Sequence, residues 1–468
     1  MIRIFTVISL LLVSYIFAAA QESTGFLQVN ELKPLPATKD TGETPQSKVW
    51  SYAGAYWAVL PDASGTHVWK LNGDTWVRQL KISDTLFKAD CKVVDNQVHV
   101  LLFRGRDIIS MVSLEYASGS YKFWSKRPEK VDINIGKDAF TATIEVDSKG
   151  RMWLASDAAS SVDVRWSDAP YTTWSEPVRL AEGLTNDDIC SIVALPGKIG
   201  VMWTDVTKKR YGLKVHTDDA DPASWSEDEV PSSQSALEVG GGMVGNTLNL
   251  VSASDGTLYA AIKTSFNTAG HPRLALLIRR PSGSWDDLYP VSSSGDRPIV
   301  ILNEKARKVR VVYNTSMANN NDIVYKESPA SDISFTPETL LFKGPYTDAT
   351  SAKDTFDQGV VILASNGSQT AGVIAFDELP DEQCCDWALY PNPFNDTTSL
   401  YFATQGDGRY HLTIYSSSGE KITSLSGDAR AGEMNRIEIL GERFASGLYM
   451  VKLQTEEKSR VFKVILNK

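Results

Sequence analysis

An aromatic residue returns along this chain about every fifty positions: Trp76, Trp124, Trp174, Trp225, Trp285 and Phe335, at intervals of 48, 50, 51, 60 and 50. The clearest copy of the surrounding unit is Val162–Leu180, VDVRWSDAPYTTWSEPVRL. There Val162, Val164 and Trp166 alternate with Asp163 and Arg165, the period of a strand with one buried face. A second series runs in step with the first. It comprises YWAVL (56–60), VHVLLF (98–103), RMWLAS (151–156), IGVMW (199–203), TLYAAI (257–262), KVRVVY (308–313) and GVVILA (359–364). A further strand follows each, as in HVWKL (67–71), YGLKVH (211–216), RLALLI (273–278) and GVIAF (372–376). With an opening strand, each unit holds about four.

Such a unit cannot bury both of its faces alone, so units must stack on one another. The chain is therefore predicted to be all-β, with a β-propeller of about seven four-stranded blades over residues 48–380. Period-2 alternation excludes helical solenoids. A β-sandwich array would explain the strands but not the recurring aromatic, which we read as opening the last strand of each unit. The seventh unit lacks that strand, because after Phe376 the chain runs DELPDEQCC. Residues 21–47 read mostly as loop, except FLQVNEL at 26–32, which alternates like the missing piece. Pairing the two ends in one blade would close the ring and protect its edge. Six blades with a leftover strand pair is the alternative.

The two chain ends speak to destination. Residues 1–20 read as a signal peptide: Arg3, the apolar run Ile4–Phe17, then Ala18-Ala19-Ala20 before Gln21. The run is short for a membrane span, and no integral span is expected in the mature chain. Residues 381–388 read as a linker. Beyond them LYF (400–402), YHLTIY (410–415), NRIEIL (435–440), LYMVKL (448–453) and RVFKVIL (460–466) predict a small immunoglobulin-like β-sandwich. Its turns are placed at Ser418-Gly419, Gly427-Asp428 and Ser446-Gly447.

Residues 389–468 closely resemble the C-terminal sorting domain of the type IX secretion system, subtype A. The carrying residues are Tyr390-Pro391-Asn392-Pro393-Phe394, the stretch Tyr415 to Gly419, then Gly447, Leu448 and Tyr449, and Lys463 in the last strand. The resemblance implies passage through that machinery, and a protein secreted or attached at the cell surface. A weaker resemblance lies in Ser167 to Trp174, which is similar to the Asp-box of sialidase-type propellers. Ser167, Thr173 and Trp174 match, but Ala169 stands for the Asp and Tyr171 for the Gly. In that family the box is a folding turn away from the active face, so it implies a blade rather than chemistry.

Candidate chemistry is sparse. A net charge of −10 argues against nucleic acid as a partner, since phosphate demands positive charge. Cys91, Cys190, Cys384 and Cys385 show no CxxC or metal spacing, and no disulfide is predicted. No HExxH, GxSxG, Walker or dinucleotide pattern occurs in a suitable setting, so neither metal nor cofactor is expected. The positions just past each apolar strand are Asp62, Arg104, Asp157, Asp205, Lys263, Thr315 and Ser365. They are candidates to ring one mouth of the channel, or are simply hairpin residues. The longest loops within units are 263–272 and 314–322. The function read from all this is an exported recognition protein for glycans or another extracellular polymer. The alternatives are a sialidase-like glycoside hydrolase or lyase with its site at the channel mouth, and an adhesion or structural protein.

Overall fold

The structure is a computed structural model describing residues 25–36, 41–105, 108–158, 160–231, 239–315, 320–378, 387–402, 404, 406–431, 435–456 and 459–468. The expected signal peptide, Cys384 and Cys385 lie outside the described residues. Among them, Cys91 and Cys190 are buried free thiols.

The chain opens with β1 (Gln28–Glu31) and β2 (Leu35–Pro36), then forms antiparallel sheets in chain order. Blade 1 is β3 (Val49–Tyr52), β4 (Ala55–Asp62), β5 (Gly65–Asn72) and β6 (Thr75–Ser83). Blade 2 is β7 (Lys88–Val94), β8 (Gln97–Phe103) and β9 (Ile108–Ala117), its outer strand split into β10 (Ser120–Phe123) and β11 (Val131–Asn134). Blade 3 is β12 (Ala142–Val146), β13 (Met152–Ala158), β14 (Ser161–Ser167) and β15 (Val178–Glu182). Blade 4 has β16 (Cys190–Leu195), β17 (Lys198–Asp205) and β18 (Arg210–Thr217), with only a bridge from Leu213 to Glu229 as a fourth. Blade 5 is β19 (Leu248–Ser252), β20 (Leu258–Lys263), β21 (Leu274–Arg279) and β22 (Tyr289–Ser292). Blade 6 is β23 (Asp296–Asn303), β24 (Lys308–Asn314), β25 (Ile323–Pro329) and β26 (Thr339–Phe342). Blade 7 is β27 (Thr347–Thr350), β28 (Gly359–Ser365) and β29 (Gln369–Phe376). Its outer partner is β1, in the register Gln28↔Phe376 to Glu31↔Val373. The propeller thus has seven sheets among the described residues.

The blades hold together by the apolar cores between them, as stacked sheets with two buried faces require. One core joins β8, β9 and β12, and another joins β17, β18, β19 and β20. The recurring aromatics belong to these cores, but of the four that follow only Trp76 stands at the start of an outer strand. Trp76 lies in β6, whereas Trp174, Trp285 and Phe335 stand four residues ahead of β15, β22 and β26. In each case the ring packs into the core shared with the preceding blade. Burial of the ring in the seam is what these positions share, whereas their backbone pairing varies from the ladder at Trp76 to a lone bridge from Trp285 to Arg279. In blade 2 that place is taken by Tyr121, whose hydroxyl accepts from Trp50 Nε1 at 3.0 Å.

The Asp-box-like turn explains its own departures. Tyr171 stands where the pattern has glycine, and it does adopt a left-handed φ of 64°. A side chain there carries backbone strain. Its ring is buried against His99 and Trp124, and its hydroxyl donates to Gly150 O at 2.9 Å. That packing offsets the strain.

The first strand is held from both sides. Phe26 stacks 3.9 Å from the Arg310 guanidinium and 5.2 Å from Tyr325, and its N–H donates to the Tyr325 hydroxyl. Arg310 is wholly buried between Glu327 and Asp377.

After blade 7 comes a separate core of seven strands. One sheet is β30 (Trp387–Tyr390), β31 (Thr397–Phe402) and β34 (Asn435–Leu440). The other is β33 (Lys421–Ala429), β32 (Gly408–Ser416), β35 (Gly447–Gln454) and β36 (Ser459–Leu466). The turn placed at Gly427-Asp428 is in fact inside β33. Gly427 sits under the Tyr410 ring, where a Cβ would come within 2.5 Å of the hydroxyl. There the glycine serves packing.

Candidate functional site

In each blade the inner and second strands are antiparallel, so the second strand ends where the inner one begins. The ends of β4, β8, β13, β17, β20, β24 and β28 therefore share one face with the connections between blades. That face carries Asp62, Arg104, Asp157, Asp205, Lys263, Thr315 and Ser365. Each has a local partner there. Asp62 accepts from Ser64 N and Oγ, both at 2.7 Å, and pairs with Arg78. The Arg104 guanidinium lies 5.9 Å from the Phe87 ring. Asp205 pairs with Lys208 at 3.1 Å. Lys263 pairs with Asp296 of the next blade at 2.8 Å. Thr315 N donates to Asp322 O at 2.9 Å, and Ser365 Oγ accepts from Thr41 N at 2.7 Å. Phe140, on the connection into blade 3, is 53% exposed on this face.

Asp157 differs from the rest. Its Oδ1 accepts from Thr141 N at 2.6 Å and Phe140 N at 3.0 Å. Burial nevertheless outweighs these bonds and pushes the carboxyl up to about 7. The folded chain then keeps a proton that the unfolded chain has lost between pH 3.8 and about 7. The stability this contributes is full below pH 3.8 and fades as pH rises through 7. Buried His99, pushed down to about 3 by burial and then by Arg127, slopes the other way: its stability is lost as pH falls below 6.5. Asp157→Asn isolates the first effect. The stability of the natural chain relative to this variant should fall by about 1.4 kcal/mol per pH unit between about pH 4 and 7. Urea unfolding of both at pH 5 and 7 reads it, and a difference independent of pH would refute the buried, protonated carboxyl.

The channel itself is occupied by the chain. Residues 41–48, TGETPQSK, cross the axis and lead into blade 1, all buried or nearly so. Gln46 Nε2 donates to Ala142 O of blade 3 at 2.9 Å, and Ser47 N to Asp90 Oδ1 of blade 2 at 2.8 Å. Thr44 O accepts from Asn249 of blade 5 at 2.8 Å, and Lys48 N donates to Thr350 of blade 7 at 3.2 Å. Glu43 pairs with Lys88 at 2.9 Å. Beneath this segment Lys353 meets Asp90 at 2.6 Å, and Lys92 meets Glu145 at 3.1 Å and Asp354 at 2.9 Å. Lys48 Nζ reaches the carbonyls of Glu43 and Gln46. Burial drives it down to about 8 against the pull of Asp90. Beside this segment lies a cavity of about 20 Å³ lined by Gln46, Ser47, Asn249 and Thr350, room for one water. Nothing in TGETPQSK marks it as interior, because its burial is polar and made largely through its backbone.

The C-terminal unit has geometry of a different kind. Asn392 clasps the final strand: its Nδ2 donates to Lys463 O at 2.6 Å and its Oδ1 accepts from Ile465 N at 2.9 Å. Phe394 is buried, and its N–H donates to Ile465 O at 2.9 Å. Pro391 O accepts from Thr398 Oγ1 at 2.7 Å, and Tyr449 donates to Ala445 O at 2.6 Å. Gly447 pairs with Leu466 where β35 begins. The Pro391-Asn392-Pro393-Phe394 stretch thus ties the first strand of this unit to its last. Residues 388–467 match the family described as the secretion system C-terminal sorting domain. The final unit is a secretion sorting domain. It indicates a protein secreted or attached at the cell surface. The stretch at 390–395 also touches the propeller: the Tyr390 ring lies 6.5 Å from that of Phe376, and Asn395 Oδ1 accepts from Asn72 Nδ2 at 3.4 Å.

For the chain as a whole, no curated protein matches. Among solved structures, Trypanosoma rangeli sialidase with the inhibitor DANA shares 9% identity at a TM-score of 0.41, over 93% of this chain and 89% of that one. Penicillium chrysogenum alpha-L-arabinanase with arabinobiose shares 12% at 0.39, over 64% of this chain and 100% of that one. Aleuria aurantia lectin with alpha-methyl-L-fucoside shares 11% at 0.40, over 64% and 95%. None of these likenesses bears on activity. Among the described residues, no helix is long and apolar enough to cross a membrane, and no His, Cys, Asp and Glu group could hold a metal.

Proposed function

We propose that this exported propeller is a recognition protein that binds glycan, or a similar extracellular polymer, at its surface without cleaving it. The observation that carries this reading is the filled channel. Hydrolysis of a glycosidic bond needs two carboxyl groups about 5–10 Å apart with room for the sugar between them. On this axis the carboxylates of Asp90 and Glu145 are already paired with Lys353 and Lys92, beside a cavity of about 20 Å³. A polymer would meet the loops on the outside of the propeller rather than its axis.

The reading is tested with the full exported chain against a panel of immobilised polysaccharides, following retention and the release of new reducing ends. Retention on at least one, with no release, is expected. Steady release of oligosaccharides would overturn the reading in favour of a hydrolase or lyase.

A further inference from the structure

A second cavity lies on the face away from the mouth. It opens in the seam between blades 7 and 1, among the connections from inner to second strands, and holds about 120 Å³. Its walls include the rings of Trp50, Tyr56 and Phe356, and its rim Ser51, Asp354 and Thr355. The back of the pocket is aliphatic, with the Cys91 thiol among it. Burial raises that thiol far above its ordinary value, so it stays protonated and is no nucleophile.

The polar atoms at this pocket are unspent. The hydroxyls of Ser51, Tyr56 and Thr355 have no hydrogen-bond partner among the described residues. Asp354 is 58% exposed and commits one oxygen, Oδ1, to Lys92 at 2.9 Å. Lys92 is itself held by Glu145 at 3.1 Å, so the carboxylate is fixed in place with Oδ2 open. Aromatic walls beside idle donors and one fixed acceptor suit a ligand with an apolar face and several hydroxyls. The volume equals about four waters at ~30 Å³ each, enough for an edge of one ring and not for a chain.

We infer that this seam pocket binds a single neutral sugar unit, the exposed end of a glycan entering edge-on. The C–H face of the ring would lie on the aromatic wall, with its hydroxyls on Asp354, Tyr56 and Ser51. The inference rests on the glycan reading above and places the contact on the opposite face from the mouth.

The test is saturation-transfer NMR of the full chain with glucose, galactose, mannose, N-acetylglucosamine, fucose, xylose and arabinose, followed by titration of any that bind. At least one should bind. Tyr56→Phe and Asp354→Asn should each weaken it about tenfold, the scale of one lost hydrogen bond to a fixed or charged partner. Ser51→Trp, at an exposed position, should roof the pocket and abolish binding with the melting temperature unchanged. Phe140→Ala on the mouth face should leave it unaltered. Binding that survives Ser51→Trp and is lost in Phe140→Ala overturns the pocket and keeps the glycan reading. So does retention on polysaccharide with no sugar bound. Failure of both sugars and polysaccharides overturns both.

Discussion

A chain that begins at Val49 should not yield a folded monomer. Such a chain lacks β1, so β29 loses the pairs from Gln28↔Phe376 to Glu31↔Val373, and also the flanking bonds from Leu27 and Leu32. It lacks Leu32 and Leu35, both buried in the core between blades 7 and 1. It also lacks the axial segment that bonds to blades 2, 3, 5 and 7. Intramolecular hydrogen bonds contribute about 1 kcal/mol each and a buried Leu about 2. A domain's net stability is only about 5–15 kcal/mol. The deleted contacts therefore reach or exceed the whole margin, and the exposed β29 edge invites aggregation. Size-exclusion chromatography with thermal unfolding reads the outcome. A monomer with a cooperative transition near that of the longer chain would show that the first strand and the axial segment are ornaments.

Arg310→Ala should cost about 3–5 kcal/mol. Its guanidinium is fully buried, pairs with Glu327 and Asp377, and carries the Phe26 ring. Without it Glu327 keeps Lys308 at 3.1 Å, but Asp377 is left buried with Asn303, at 2.7 Å, as the only other side-chain donor among the described residues. An unpaired buried carboxylate is the expensive half of a broken pair. Loss of the stack also loosens β1 at its root. The contrast is Arg436→Ala, which breaks a pair more than half exposed on both sides and should cost under about 1 kcal/mol. Urea midpoints at constant slope give both numbers. A shift below about 1 kcal/mol for Arg310→Ala would refute its role as the anchor of the first strand.

Much of the propeller was legible because burial in a blade is periodic. The strands from YWAVL to GVVILA are apolar runs, and FLQVNEL alternates as an outer strand should. The aromatic marker opens the outer strand at Trp76 but stands ahead of it at Trp174, Trp285 and Phe335. Trp174 and Trp285 answer to a neighbouring blade, and a linear pattern does not distinguish packing across a seam from pairing within a sheet. The axial segment was missed for a different reason. Thr41, Gly42, Pro45 and Ser47 are turn formers, and their partners lie up to 324 residues away. Gly427 misled in the same way, as a residue chosen for the ring above it. At the mouth, Asp157 was visible as a position. Its upward shift is not legible, because that depends on how deeply the fold buries the carboxyl, against the hydrogen bonds from Thr141 and Phe140.

The partners of the axial segment and of the latch at Phe26 also fix an order of events. Contacts such as Gly25 with Glu327, Thr41 with Ser365 and Ser47 with Ser351 span 302, 324 and 304 residues. Long separations of this kind slow folding, because a loop of that length must close before any contact forms. The residues that come first in the chain can take their places only after the seventh blade exists. Emergence and assembly therefore run in opposite directions. Until the last blade arrives, the protein is an open arc with an unpaired strand at one end and an empty polar bore along its length.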